Sequence, residues 1–223
     1  MALFITFEGP DGSGKSTQIK MLAEHLQGLG QSVFVTREPG GTEIGEQIRG
    51  LLHDLRHREM HPRAEILLYS AARAQLVGQA ILPRLAAGDV VLCDRFADST
   101  LAYQGYGHGL DLETLRLITS FATQGLQPDL TLLFDIDPAA GLRRRQVGGE
   151  EWNRLDDYDL AFHQRVHRGY LVLAAAAPQR WVIVDGRQDR AAIQAEVRRV
   201  VEQRLEVRSQ TSDVGRFPLP PDC

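Results

Sequence analysis

The sequence predicts an α/β fold, a five-stranded parallel sheet held between helical layers, and three observations carry that prediction. Short runs of β-forming residues alternate with longer amphipathic stretches along the chain. The strand-like runs are apolar at nearly every position, as expected where helices cover both faces of a sheet. A glycine-rich turn joins the first run to the first amphipathic stretch, and strands connected through helices enter a parallel sheet by right-handed crossovers.

The elements follow in order. Leu3–Glu8 is the first strand, and Lys15–Leu29 reads as a helix because Ile19, Leu22, Ala23, Leu26 and Leu29 recur at helical spacing. Gly30 is placed to stop it. Ser32–Thr36 is the second strand, and Glu43–Leu52 a helix after the loop Glu38-Pro39-Gly40-Gly41-Thr42. Pro62 opens a long Ala- and Leu-rich helix over Arg63–Ala86, with Pro83 expected to kink its last turn. Val90–Asp94 is the third strand, Leu112–Thr123 a helix, and Leu130–Asp135 the fourth strand. A helix begins over Pro138–Arg145, another covers Asp157–Ala177, Trp181–Asp185 is the last strand, and Ala191–Glu206 the last helix. Residues 1–208 are expected to form one domain. Residues 209–223, with three prolines and little apolar content, are expected to be a flexible tail.

The bulk properties narrow the function. A chain of 223 residues with 43% hydrophobic and 24% charged residues resembles ordinary globular proteins. A net charge of −4 argues against a broad nucleic-acid footprint and directs attention to clustered arginines that would hold a small anion. Cys93 and Cys223 share no metal-type spacing and suggest no disulfide, and Cys93 is expected to be buried. Met1–Glu8 leads directly into the first motif, and no apolar stretch reaches the roughly 20 residues that cross a bilayer. We expect a cytoplasmic protein with no membrane partner.

That first motif is the chemical core of the sequence. Gly9-Pro10-Asp11-Gly12-Ser13-Gly14-Lys15-Ser16 fits G-x-x-x-x-G-K-[ST] at every fixed position, between a strand and a helix. Such a P-loop wraps phosphate in backbone N–H groups, and the helix that follows turns its positive end to the same anion. We therefore assign ATP contacts to Gly9, Pro10, Asp11, Gly12, Ser13, Gly14, Lys15, Ser16 and Thr17. Lys15 reaches the β and γ phosphates, and Ser16 ligates Mg²⁺. The motif fixes nucleotide binding but leaves the reaction open.

Four further segments narrow the choice, and the first two open onto the same sheet edge, since ligands in open α/β sheets gather beyond the carboxyl ends of strands. Asp94-Arg95-Phe96 ends the third strand; Asp94 suits Mg²⁺ and Arg95 a second phosphate. Arg37-Glu38-Pro39-Gly40-Gly41-Thr42 follows the second strand, with Arg49 on the next helix. Tyr69 and Arg73 lie four apart on one helix face, which suits a base stacked on the ring with its edge or phosphate on the guanidinium. Ser99-Thr100-Leu101-Ala102-Tyr103-Gln104 adds a polar and aromatic stretch in which Gln104 is able to pair with a base.

Taken together, Phe-Glu-Gly, Arg-Glu-Pro-Gly-Gly-Thr, Asp-Arg-Phe-x-x-Ser and Tyr-Gln-Gly, in this order from Phe4 to about Val200, resemble the thymidylate kinases. The resemblance implies transfer of a phosphoryl group from ATP to dTMP with Mg²⁺, a step in dTTP synthesis, by a homodimer packed through helices. It implies that Asp11 contacts the sugar 3′-hydroxyl, that Tyr69 stacks on thymine, and that Arg73 and Gln104 read the base edge. It also implies that Arg95 and Arg49 hold the acceptor phosphate and that the Tyr103 ring disfavours a 2′-hydroxyl. Arg37, Ser99 and Thr100 complete the expected dTMP site.

Phosphoryl transfer needs positioning and charge neutralisation more than covalent chemistry. Gly141-Leu142-Arg143-Arg144-Arg145, running on through Gly148-Gly149-Glu150-Glu151, reads as a basic flap, a lid over about residues 143–156. The family supplies a catalytic arginine either from the P-loop or from the lid, and Gly12 implies the lid arrangement here. Gln146, Val147 and Gly148 stand where further arginines often occur, so Arg144 or Arg145 is the expected catalytic arginine, with Arg154 as a second contributor. Arg143 and Arg187 are expected near adenine.

Other features carry less. His53, His57 and His61 are spaced at four, as are His163 and His167, and the first group is expected on a solvated surface rather than on a metal. Trp152 and Trp181 are expected to be packing residues. A kinase for another nucleotide, or an ATP-driven switch, remain the competing functions at this level.

Overall fold

The computed structural model describes residues 2–148 and 153–214. Five strands, β1 (Leu3–Glu8), β2 (Val33–Arg37), β3 (Val90–Asp94), β4 (Leu130–Asp135) and β5 (Trp181–Asp185), form a wholly parallel sheet in the order β2-β3-β1-β4-β5. The register aligns Phe7 with Asp94 and Asp94 with Arg37, so the loops carrying the motifs leave from one edge. The helices are α1 (Lys15–Gly28), α2 (Glu43–His53), α3 (Pro62–Leu76), α4 (Leu82–Ala86), α5 (Ala97–Thr100), α6 (Leu112–Thr123), α7 (Pro138–Val147), α8 (Leu160–Ala176) and α9 (Arg190–Val214).

Alternation along β1 sorts its side chains between two layers. Leu3, Ile5 and Phe7 pack against Ile19, Leu22 and Leu26 of α1 and Val197 and Val201 of α9. Phe4 turns to the other face, against Leu76, Val77 and Ile81. On that same face α8 and the segment after α5 build a further cluster from Tyr103, Phe162, Val166 and Tyr170. Burying each large apolar side chain contributes about 2 kcal/mol. Thr6 and Glu8 share the parity of Phe4, so β1 sends two fully buried polar groups under the second layer. Thr6 meets Thr131 at 2.9 Å, and Glu8 becomes part of the site.

Several expected boundaries move. The long helix after Pro62 is interrupted by a π-helical turn over Val77–Ile81 before α4 resumes it. Pro83 has no N–H to bond the carbonyl four residues back, so the loosening falls just before it. Asp159 caps α8, its Oδ1 accepting from Phe162 N at 2.7 Å, which starts that helix later than its apolar periodicity suggests. The stretch Ala97–Gly107, to which the sequence assigned no element, is helical throughout, α5 passing into a π-helix over Leu101–Gly107. Helix α9 continues to Val214, into the stretch expected to be tail, and the rest of that stretch lies outside the described residues. Gly149, Glu150, Glu151 and Trp152 of the expected lid also lie outside them. Trp181 and Cys93 are buried.

Candidate active site

The site begins where β1 breaks into the glycine loop. Gly9 and Gly12 take positive φ, and any side chain there would strike backbone: a Cβ on Gly9 would lie 2.6 Å from Phe134 O, and one on Gly12 would lie 2.1 Å from Gly141 O. The loop crown is thus wedged against α7. Lys15, at the start of α1, turns back under the loop, its Nζ donating to Pro10 O at 2.9 Å and Gly9 O at 3.1 Å. Burial and the nearby Arg95 lower its pKa to about 8. Ser16 Oγ donates to Asp94 Oδ2 at 2.6 Å, bringing the loop and the end of β3 together.

Arg95 follows Asp94 with φ of 69°, a left-handed conformation that costs an ordinary residue of order 1–3 kcal/mol. Its surroundings hold it there. The backbone N–H donates to Phe7 O at 2.9 Å. Nη2 donates to Asp11 Oδ1 at 2.7 Å, and Nη1 to Tyr170 Oη at 3.0 Å and Ser99 Oγ at 3.3 Å. Tyr103 Oη donates to Asp11 Oδ2 at 3.0 Å. Burial opposes charge on Asp11, but Arg95 and Lys15 outweigh it and hold the carboxyl far below the usual range.

Behind Arg95, Glu8 accepts from Phe96 N at 2.8 Å, Ser99 Oγ at 2.6 Å and Tyr170 Oη at 2.9 Å. Burial, with repulsion from Asp98, raises its pKa from the ordinary 4.5 to about 7.

A second group of residues lines the other end of the cavity. Helix α3 presents Tyr69 and Arg73 there, with Glu65 a turn earlier on the same stripe but outside the lining. Arg73 is 1% exposed. Its Nε donates to Glu38 Oε2 at 2.8 Å, Nη1 to Thr100 Oγ1 at 3.0 Å and Nη2 to Phe96 O at 3.2 Å. Gln104 Nε2 donates to Glu65 Oε1 at 2.7 Å. Burial and the charge of Glu65 push the Tyr69 hydroxyl well up, so it stays neutral. At the rim Arg49 Nη1 donates to Pro39 O at 3.0 Å, and Arg37 pairs with Glu46 at 2.8 Å.

One cavity therefore joins the loop residues Asp11, Gly12, Gly14, Lys15, Ser16 and Thr17 to Arg37, Arg49, Tyr69, Arg73, Asp94, Arg95, Ser99, Thr100, Tyr103 and Gln104. Gly9, Pro10 and Ser13 shape the loop without lining that cavity. Its lining carries six cations, Lys15, Arg37, Arg49, Arg73, Arg95 and Arg145, against the three acids Asp11, Glu38 and Asp94. That excess suits a ligand with several phosphate charges. Ser16 and Asp94 offer adjacent hard oxygen donors, which fits Mg²⁺ bound together with phosphate oxygens. No group of three or more His, Cys, Asp or Glu able to hold a metal by itself occurs among the described residues.

The arginines of the expected lid separate. Arg145 lines the cavity and pairs through Nε with Asp156 at 2.8 Å. Arg144 turns aside, Nη1 donating to Gly186 O at 3.0 Å. Arg143 is exposed and does not line the cavity. Arg154, expected beside them, is instead a buried strut: it donates to Leu52 O at 2.9 Å, to Tyr158 Oη at 3.0 Å and to Glu65. A buried carboxylate and two further acceptors take up its guanidinium, and Arg154 does not line the cavity. Arg187 pairs with Asp185 at 2.8 Å in a separate shallow depression lined also by Asp135 and His167. His53, expected on a solvated surface, lines the cavity, where burial and Arg49 lower its pKa to about 3 and keep it neutral.

Glu8, Glu65 and Tyr170 went unassigned from sequence. Glu65 was detectable by extending the Tyr69–Arg73 spacing one turn back. Glu8 was detectable as the one acid in a strand otherwise closed to charge. Tyr170, 162 positions from the Glu8 it contacts, left no local signal.

The thymidylate kinase family model matches residues 7–197. The chain is 53% identical over 216 residues to the thymidylate kinase of Roseiflexus sp. (strain RS-1), covering 92% of this chain and 96% of the relative. It is 50% identical over 202 residues to the thymidylate kinase of Deinococcus radiodurans, covering 91% and 97% respectively. The crystal structure of thymidylate kinase from Ehrlichia chaffeensis aligns with a TM-score of 0.74 at 34% identity, covering 90% of this chain and 98% of that one.

Proposed function

The chain belongs to the thymidylate kinase family, and from that membership we infer that it transfers the γ-phosphoryl group of ATP to dTMP, giving ADP and dTDP. The observation that carries this reading is the continuity of the cavity. The phosphate loop and the Tyr69–Arg73–Gln104 pocket open into one space, with Asp11 and Arg95 paired between them.

In our reading dTMP lies with its base on Tyr69, its base edge toward Arg73 and Gln104, and its phosphate on Arg95 and Arg49. A phosphate oxygen attacks the γ-phosphorus in line, and no protein nucleophile is required. Lys15 and the loop N–H groups hold the donor phosphates. Ser16 and Asp94 would hold Mg²⁺, which when bound neutralises charge on the β and γ phosphates. Arg145 is the lid arginine we assign to the transferring group, because it alone of Arg144, Arg145 and Arg154 lines the cavity. The wedge of Gly12 against Gly141 supports a lid origin, since it leaves no room for a side chain from the loop. In the same reading Tyr103, held against Asp11, meets the sugar.

We further propose a homodimer. Helices α3 and α6 are in contact, and they leave Leu67, Leu117 and Phe121 exposed, Phe121 by 88%. Such a patch favours burial against a second copy. No helix among the described residues is long and apolar enough to cross a membrane; we place the reaction in the cytoplasm, with residues 1–208 acting as one catalytic domain.

Coupled ADP release tests the function across dTMP, dUMP, UMP, CMP, AMP, GMP and thymidine. We expect release to depend on an acceptor and to be fastest with dTMP. Preference for another acceptor would overturn the assignment.

A further inference from the structure

Gln104 lines the cavity beside Tyr69 and Arg73, and an amide reads either way: its oxygen accepts, its nitrogen donates. What fixes the choice lies behind it. Glu65 is fully buried, and its Oε1 lies 2.7 Å from Gln104 Nε2. A carboxylate only accepts, so the reversed amide would set oxygen against oxygen. Burial works against the charge of Glu65, but His108, Arg154 and Gln104 outweigh it and hold its carboxyl below the ordinary range. No described residue donates to Gln104 Oε1, and that atom is left for a ligand.

We propose that Glu65 is a specificity-determining positioning residue: by holding Gln104 Nε2 it presents only an acceptor to the base and so selects pyrimidines that carry a proton on N3. The inference rests on the dTMP-kinase reading above. Thymine N3–H donates to Gln104 Oε1, while its O4 accepts from the second N–H of Arg73 Nη1, the first being bonded to Thr100. A pyrimidine with a bare N3 sets its lone pair against Oε1 and leaves two acceptors unpaired in a buried site, the arrangement that discriminates most strongly. Arg154, by bonding the other oxygen of Glu65, keeps the carboxylate oriented from the far side.

The probe is 2-pyrimidinone deoxyriboside 5′-monophosphate, which has a bare N3 and no group at position 4. We expect Glu65→Gln to let the amide turn and to lower the dTMP-to-probe ratio of kcat/KM by about tenfold or more. In a Gln104→Leu background the same substitution should leave that ratio unchanged. A Glu65→Gln variant that slows both acceptors equally, or shifts the ratio as much without Gln104, would overturn the proposal and leave Glu65 as a support for Arg154. In the unaltered protein, the N3 proton of bound dTMP should appear as a slowly exchanging low-field resonance, lost in Gln104→Leu. Its absence overturns the acceptor arrangement whether or not Glu65→Gln folds. An unaltered protein that prefers another acceptor over dTMP refutes the functional reading itself; one that prefers dTMP with an unmoved ratio refutes only the role of Glu65.

Discussion

Arg95 Nη2 donates to Asp11 Oδ1 across 2.7 Å, tying the end of β3 to the middle of the phosphate loop. The arginine we assign to the acceptor is therefore anchored on the loop we assign to the donor, and movement of either displaces the other. Asp11 at once offsets the Arg95 charge and aligns Tyr103.

Asp11→Asn keeps the shape but removes the charge that holds Arg95. We expect kcat/KM for dTMP to fall about tenfold to hundredfold, with a smaller change in KM for ATP. Steady-state kinetics in both substrates checks this.

The arginines of α7 should not be equivalent. Arg145→Ala is expected to lower kcat by about 10²–10³-fold, the usual effect of removing one charge-stabilising donor. Arg144→Ala, which loses a bond to Gly186 O, should change kcat only a few-fold. Single-turnover rates at saturating substrate separate the two.

Gly12→Ala tests the wedge between loop and α7. Its Cβ would meet Gly141 O at 2.1 Å with φ of +73°, so neither backbone is able to yield without moving an element. We expect a loss of about 3 kcal/mol or more in stability, read by chemical denaturation.

Much of the site was legible because its spacing is local. Lys15 and Ser16 are fixed by the loop pattern, and Tyr69 and Arg73 by a single helical turn. The helical segment Ala97–Gly107 carries Gly105 and Gly107, poor helix formers that give it no helical signal in the sequence. Their missing side chains are what admit Leu112 and Phe162, since a Cβ would lie 2.4 Å and 2.7 Å from those residues. His53 sits in a polar run that looks solvated, and only tertiary packing turns it to the cavity. Arg154 illustrates the converse: charge composition suggests a lid, but a buried acid elsewhere on the chain, Glu65, holds the guanidinium.

Glu8 gives the protein a pH signature. Its folded pKa of about 7 stands above the ordinary 4.5, burial being the main cause and Asp98 the next. A raised pKa means that the contribution of the group is full below about pH 4.5 and declines as pH rises through about 7. Arg95, Ser99, Tyr170 and the Phe96 N–H face the same carboxyl and limit that decline. Relative to Glu8→Gln, the unaltered protein should lose up to roughly 3 kcal/mol across this window and then level off. Denaturation midpoints at several pH values give the comparison.

The most direct test of the central claim follows the phosphoryl group itself. With γ-labelled ATP, Mg²⁺ and dTMP, label should appear in dTDP, and Lys15→Ala should abolish its transfer while the circular dichroism spectrum is kept. Label released as inorganic phosphate at a rate indifferent to dTMP, or full transfer by Lys15→Ala, would contradict it.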